Sequence, residues 1–242
     1  MAVVVQPMTA SDTAPEDPRG RVQAADRDRY LAVLHAPQPV RDGLFALFAL
    51  DLELAQVVAT TSEPLLGEIR LAWWREQLAR LDNASAPAQP TLAALAQHVV
   101  PVGVSGASLE PLEDAYLVLL LDEHCDADQL DRYLANRGGA LFAAAAKLLG
   151  ADVAAARTLG RCWALGEFVR RGERPPFVAR ELLEAVRRQA LVRPADRALR
   201  PLAALARLAL ADVDAVLAGR DPGPRGSAGR QLRMLRTMLT GR

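Results

Sequence analysis

The stretch FALDLELAQVVAT, Phe48–Thr60, decides the fold. Its apolar residues recur at three and four positions, the period of a helix with a buried face, and it never alternates as a strand would. Only two acids interrupt it, Asp51 and Glu53. Such a helix is either a plain core element or one wall of a site that holds metal and diphosphate. The choice turns on which residue types occupy successive turns.

Outward from this stretch the same period continues. Windows rich in Ala, Leu, Arg and Glu run from about Asp26 to Ala218, and β-branched clusters are confined to short pieces such as Val3–Val5. These are helix formers at helical spacing, so the chain reads as all-α. A first helix is expected over Asp26–Ala36, stopped by Pro37, and a second from Pro39 to Ala59. Thr61 and Ser62 are candidate N-caps for a third, which carries EIRLAWWREQLARL. Asp126 and Gln129 form a capping-box pattern that opens a helix over Ala127–Leu149. The expected organisation is a disordered leader over 1–24, one helical domain over 25–219, and a flexible linker with a short basic amphipathic helix over 220–242.

Composition narrows the function. The 242 residues are 51% hydrophobic and 24% charged, ordinary for a globular protein able to bury its own core. Formal net charge is zero, which argues against nucleic acid as a partner. Cys125 and Cys162 lie far apart without a C-x-x-C pair, so a reducing compartment is the default. The N-terminus has neither the basic nor the apolar region of a secretory signal. No run of apolar residues approaches the ~18 of a membrane span. The expected location is cytoplasmic, at most peripheral to the inner membrane.

Single residues add little chemistry. His124 and Cys125 sit among acids in LDEHCDAD, but the spacing fits no zinc pattern, and a loop ending in a helix cap explains the acids. His35 and His98 read as packing or surface residues. Gly138-Gly139 within a helical pattern points to close helix packing rather than phosphate binding. Trp73 and Trp74, between Arg70 and Arg75, read as a core face, with a cavity wall and an anion-facing arginine as the sharper alternative. In the last helix Leu232, Leu235, Met238 and Leu239 share one face and Arg230, Arg233 and Arg236 another. Peripheral membrane contact, docking on a partner and packing on its own domain all suit that pattern.

Taken in order, five segments resemble the squalene/phytoene synthase family: DRYLAVLHAP at 28–37, RDGLFALFALDLELAQ at 41–56, SEPLLGEIRLAWWREQL at 62–78, YLANRGGALFAAAAKLLG at 133–150 and LGRCWALGEFVRRGERPPFVARELL at 159–183. The resemblance implies a single-domain all-α isoprenoid-synthase fold around a central cavity. It also implies an enzyme that joins two prenyl diphosphates head to head, with two aspartate motifs holding magnesium against the leaving diphosphate. Magnesium takes hard oxygen ligands in octahedral geometry, and ionising an allylic diphosphate needs that charge.

The chain departs from the family where that chemistry is carried. The first aspartate motif falls on Ala55, Gln56 and Ala59, and the second on Arg171 and Pro175. Asp51, one turn before Ala55, is a lone carboxylate. Tyr30, Asp51, Glu53, Arg70, Arg75 and Glu167 remain as candidate ligand contacts, with no residue assigned to catalysis, metal or cofactor. The chain is also similar, more than to the synthases, to the branch of this family that assists mitochondrial respiratory complex I assembly. That likeness rests on Phe45–Val57 and Ser62–Trp74. It implies a non-catalytic assembly factor with a respiratory-complex subunit, or a lipid or prenyl tail in the cavity, as partner. The alternative is a divergent head-to-head synthase using magnesium and rearranged carboxylates such as Glu53, Glu63, Glu167 and Glu173.

Overall fold

Why the chain turns where it does is visible from its caps. The structure is a computed structural model that describes residues 17–84, 88–121, 124–170, 178–189 and 196–241. Among these the regular elements are all helical: α1 (Pro18–Ala25), α2 (Arg27–Leu34), α3 (Arg41–Thr60), α4 (Pro64–Arg80), α5 (Pro90–His98), α6 (Pro111–Leu121), α7 (Ala127–Tyr133), α8 (Ala140–Leu149), α9 (Val153–Arg170), α10 (Arg180–Gln189), α11 (Arg200–Leu217) and α12 (Ala228–Thr240). Proline opens α1, α4, α5 and α6, where its missing N–H costs no hydrogen bond. The capping box of Asp126 and Gln129 opens α7 as the pattern requires.

Several boundaries differ from the sequence reading. Residues 17–24 are not part of a disordered leader: α1 begins at Pro18, is capped by Asp17 and buries Val22 completely, and residues 1–16 lie outside the described residues. Neither Thr61 nor Ser62 caps α4; Glu63 holds that position without a side-chain bond. Thr61 instead donates its hydroxyl back to the Val57 carbonyl at the end of α3. The helix expected over 127–149 is interrupted by a π-helical turn at Leu134–Gly139.

The helix that opened the question lies at the centre. In α3 every residue from Gly43 to Asp51 is buried, because α1, α5, α6 and α8 pack around it. With its preceding turn it is long and apolar enough to cross a membrane (Gln38–Thr60, mean hydropathy 1.6), but most of it is enclosed by protein. On the other side α9 packs between α11 and the π-turn with α8. Its approach to the π-turn is backbone to backbone: a Cβ on Gly138 would stand 1.9 Å from the Gly160 carbonyl oxygen. Only glycine permits that distance.

Candidate functional site

Two long buried side chains organise the space between α2, α3, α9 and the π-turn. Arg29, from α2, is 2% exposed, and Arg137, from the π-turn, is 3% exposed. A π-turn inserts one residue into the helical register, a device common at functional sites. The two guanidinium carbons lie 4.8 and 5.0 Å from the Trp163 ring centre. Arg29 also faces Phe48, and Arg137 faces Tyr116 and Tyr133. Such contacts compensate part of the lost hydration of a buried cation.

Asp51 is the focus of this group, and it is wholly buried. Arg137 donates Nε to its Oδ1 at 2.8 Å and Nη2 to its Oδ2 at 2.9 Å. Arg29 donates Nη1 to Oδ2 at 2.9 Å, and the Tyr116 hydroxyl donates to Oδ1 at 2.7 Å. Glu167, across on α9, takes Arg29 Nη2 at 2.6 Å on Oε2 and Arg225 Nη2 at 2.8 Å on Oε1. Arg29 Nε also stands 2.8 Å from Asp26 Oδ2, an oxygen that Arg225 reaches too.

The network continues into the C-terminal segment. Gly226 N–H and Arg230 Nε both donate to Asp28, at 2.9 and 2.7 Å. Arg230 and Arg170 share Asp212. Five carboxylates (Asp26, Asp28, Asp51, Glu167, Asp212) thus meet five arginines (Arg29, Arg137, Arg170, Arg225, Arg230), and the charge balances.

Burial by itself would raise the carboxyls of Asp26, Asp51 and Glu167. At Asp51 the attraction of Arg137 and Arg29 overrides it and holds the carboxyl below its ordinary range. Arg225, Arg29 and Arg137 do the same for Glu167. At Asp26 burial wins over Arg29 and Arg225, and its carboxyl is raised.

Beside the network opens a cavity of about 810 Å³. Its wall is apolar at Leu52, Ala55, Val58, Leu119 and Leu120, and its charged side is Arg29, Arg137, Arg170, Arg225, Asp26 and Glu167. A second hollow shares Ala55 and Ala59 with it and adds Gln56 and Arg21.

The positions read from sequence therefore divide. Ala55 and Ala59 line the cavity, and Asp51 and Glu167 come together through shared arginines. Gln56 points to the second hollow, where Arg21 binds it. Four candidate ligand contacts are not among the residues lining this cavity. Glu53 faces away from the cavity toward Arg21, at 3.1 Å, and Gln89, at 3.2 Å. Tyr30 stacks on Phe45 and meets Arg19 and Arg27. Arg70 donates to Thr61, and Arg75 lies on the surface beside Glu113. None of the four lines the cavity, although Arg70 binds Thr61 at its rim. Arg171 and Pro175 lie outside the described residues, as do Asp122 and Glu123 of the LDEHCDAD loop. Trp74 is buried while Trp73 is 42% exposed, so only one of the pair serves the core.

The arginines were the residues that sequence reasoning missed. Arg29 stood beside Asp28 in the segment at 28–37, and Arg137 stood before Gly138-Gly139. Neither carries a local signal of burial, because a lone arginine on a helix is normally solvated.

These donors do not suit magnesium. Every oxygen of Asp51 and Glu167 already accepts from a guanidinium or a hydroxyl. Among the described residues no group of three or more His, Cys, Asp or Glu side chains is placed to hold a metal ion. Guanidinium groups occupy the space between the two carboxylates that a bridging cation would need.

The helical order and the central cavity define the class as an isoprenoid-synthase fold. The chain superposes on a dehydrosqualene synthase solved in complex with a ligand, with a TM-score of 0.72, covering 93% of this chain and 94% of that one at 15% identity. The squalene/phytoene synthase family model matches residues 22–236, and the chain belongs to that family. A human protein, NADH dehydrogenase (ubiquinone) complex I, assembly factor 6, is 28% identical over 126 residues, 52% of this chain. The matched stretch spans 38% of that relative's length.

Proposed function

We propose that this protein is a non-catalytic member of the squalene/phytoene synthase family that assists assembly of a respiratory membrane complex. The observation that carries the non-catalytic part is the saturation of Asp51 and Glu167 by Arg29, Arg137 and Arg225. In an enzyme of this kind, free carboxylates would have to gather cations around a diphosphate. Here fixed guanidinium groups neutralise these two carboxylates, and every oxygen of Asp51 and Glu167 is already engaged. The similarity to the human complex I assembly factor supports the assembly role.

The cavity retains a use in this reading. Its apolar wall suits a lipid or prenyl tail, and its arginines suit an anionic head. Such a ligand would bind without a metal.

The test is turnover of farnesyl and geranylgeranyl diphosphate by the purified protein with magnesium, read as diphosphate release. No release from a folded helical protein is expected, and magnesium-dependent release would overturn the non-catalytic reading. For the assembly role, loss of the gene should lower the assembled respiratory complex while leaving its subunits synthesised. Unchanged assembly would refute it.

A further inference from the structure

The C-terminal helix presents its three leucines to solvent, the reverse of what an amphipathic helix normally does on its own domain. The face of α12 that packs on α2 and α11 carries Arg230, Met234 and Thr237, all buried. Arg230 is thus an internal ion-pair partner of Asp28 and Asp212, which corrects its placement among surface cations. On the opposite face stand Leu232, 70% exposed, Leu235, 46%, and Leu239, 78%.

The helix is fastened so that this face cannot turn inward. Arg230 fixes its first turn. Arg200 and Arg207, from α11, donate to the Met238 and Gly241 carbonyls at its last turn. The leucine stripe is therefore a fixed outward feature of the fold.

Its flank is cationic. Arg233 and Arg236 are exposed on one side of the stripe, and no ion pair forms at either among the described residues. From Ala228 to Arg242 the chain has no acidic residue. A leucine stripe flanked on one side by arginines matches the boundary of an anionic bilayer, with acyl chains below and phosphates beside. A protein partner or a second copy would need an acidic rim, and nothing on α12 supplies one in return.

We infer that α12 docks this protein on anionic membrane surfaces, with Leu232, Leu235 and Leu239 in the acyl boundary and Arg233 and Arg236 on lipid phosphates. The inference stands on this surface alone and does not depend on the assembly role.

The test is co-sedimentation of the full chain with vesicles of phosphatidylcholine alone and with 3:7 phosphatidylglycerol, at about 0.1 M salt. Binding to the anionic vesicles only, weakened as salt is raised, is expected. At about fivefold per basic residue, Arg233→Gln with Arg236→Gln should weaken it roughly 30-fold. Leu235→Asp with Leu239→Asp should abolish it. Both pairs are exposed, and circular dichroism with thermal unfolding checks that each variant folds. Ile69→Asp, on the separately exposed face of α4, serves as a control for general stickiness and should bind as the parent does. Absent or charge-independent binding overturns the inference. So does unchanged binding by the α12 variants, or loss only in the Ile69 variant. If the leucine variant converts a dimer to a monomer in light scattering without changing vesicle binding, α12 is an interface between copies and the inference falls.

Discussion

Replacing Asp51 by Asn tests whether the buried ion network is structural. The substitution keeps the side-chain shape and removes one charge. Asp51 accepts four bonds, from Arg29, from Tyr116 and twice from Arg137, at 2.7–2.9 Å and full burial. Asn offers one acceptor oxygen, and its amide hydrogens would face guanidinium hydrogens. Arg29 would keep Asp26 and Glu167, but Arg137 would keep only Glu167, at 3.4 Å, as a charged partner, beside the Tyr133 hydroxyl. Removing one partner of a buried pair costs about 3–5 kcal/mol, since the remaining charge is left without compensation. For a chain of this size each kcal/mol lowers Tm by about 2–4 °C, so a fall of roughly 6–20 °C is expected. Urea unfolding by circular dichroism measures the free energy directly. Arg161→Ala, which breaks the exposed pair with Asp131, is the comparison and should change stability by no more than about 1 kcal/mol. A D51N protein within about 1 kcal/mol of the parent would refute the reasoning, and the carboxylate would then be kept for something other than structure. Magnesium is expected to leave the parent's Tm unchanged, because a ligand that binds only the folded state would raise it.

Three other outcomes follow from the geometry. Gly138→Ala should destabilise by the upper end of the ~1–3 kcal/mol of overpacking or more, because its Cβ would meet the Gly160 backbone rather than a movable side chain; the urea midpoint reports it. Acid should destabilise below about pH 4: Asp51 and Glu167 are lowered on folding, so their stabilisation is present above the unfolded value and lost as pH falls through the folded one. Asp26 is raised, so its contribution has the opposite sign and fades as pH rises through its folded value. Stability measured against pH should therefore peak in mild acid, and Asp26→Asn should flatten the alkaline side of that peak. The Cys162 thiol, buried and pushed up to about 11, should react with a disulfide reagent only as fast as the protein opens, which a comparison with denaturant-unfolded protein tests.

The sequence by itself determined the all-α architecture, the capping box at Asp126 and the family, because these rest on periodicity and on residues adjacent in the chain. The family resemblance in turn implied that the first aspartate motif falls on Ala55, Gln56 and Ala59 of α3. What stands in the motif's place was decided only by tertiary structure. Asp51 finds Arg137 86 residues away, and Arg225 reaches Asp26 across 199. No local pattern announces a buried arginine, since its burial depends on partners supplied by other helices. The same holds for α12. The heptad-like spacing of its leucines suits a core face, a partner and a membrane alike, and only the anchoring of Arg230, Arg200 and Arg207 turns that face outward. Helix formation is local, but which side of a helix meets the core is set by what the rest of the chain brings to it.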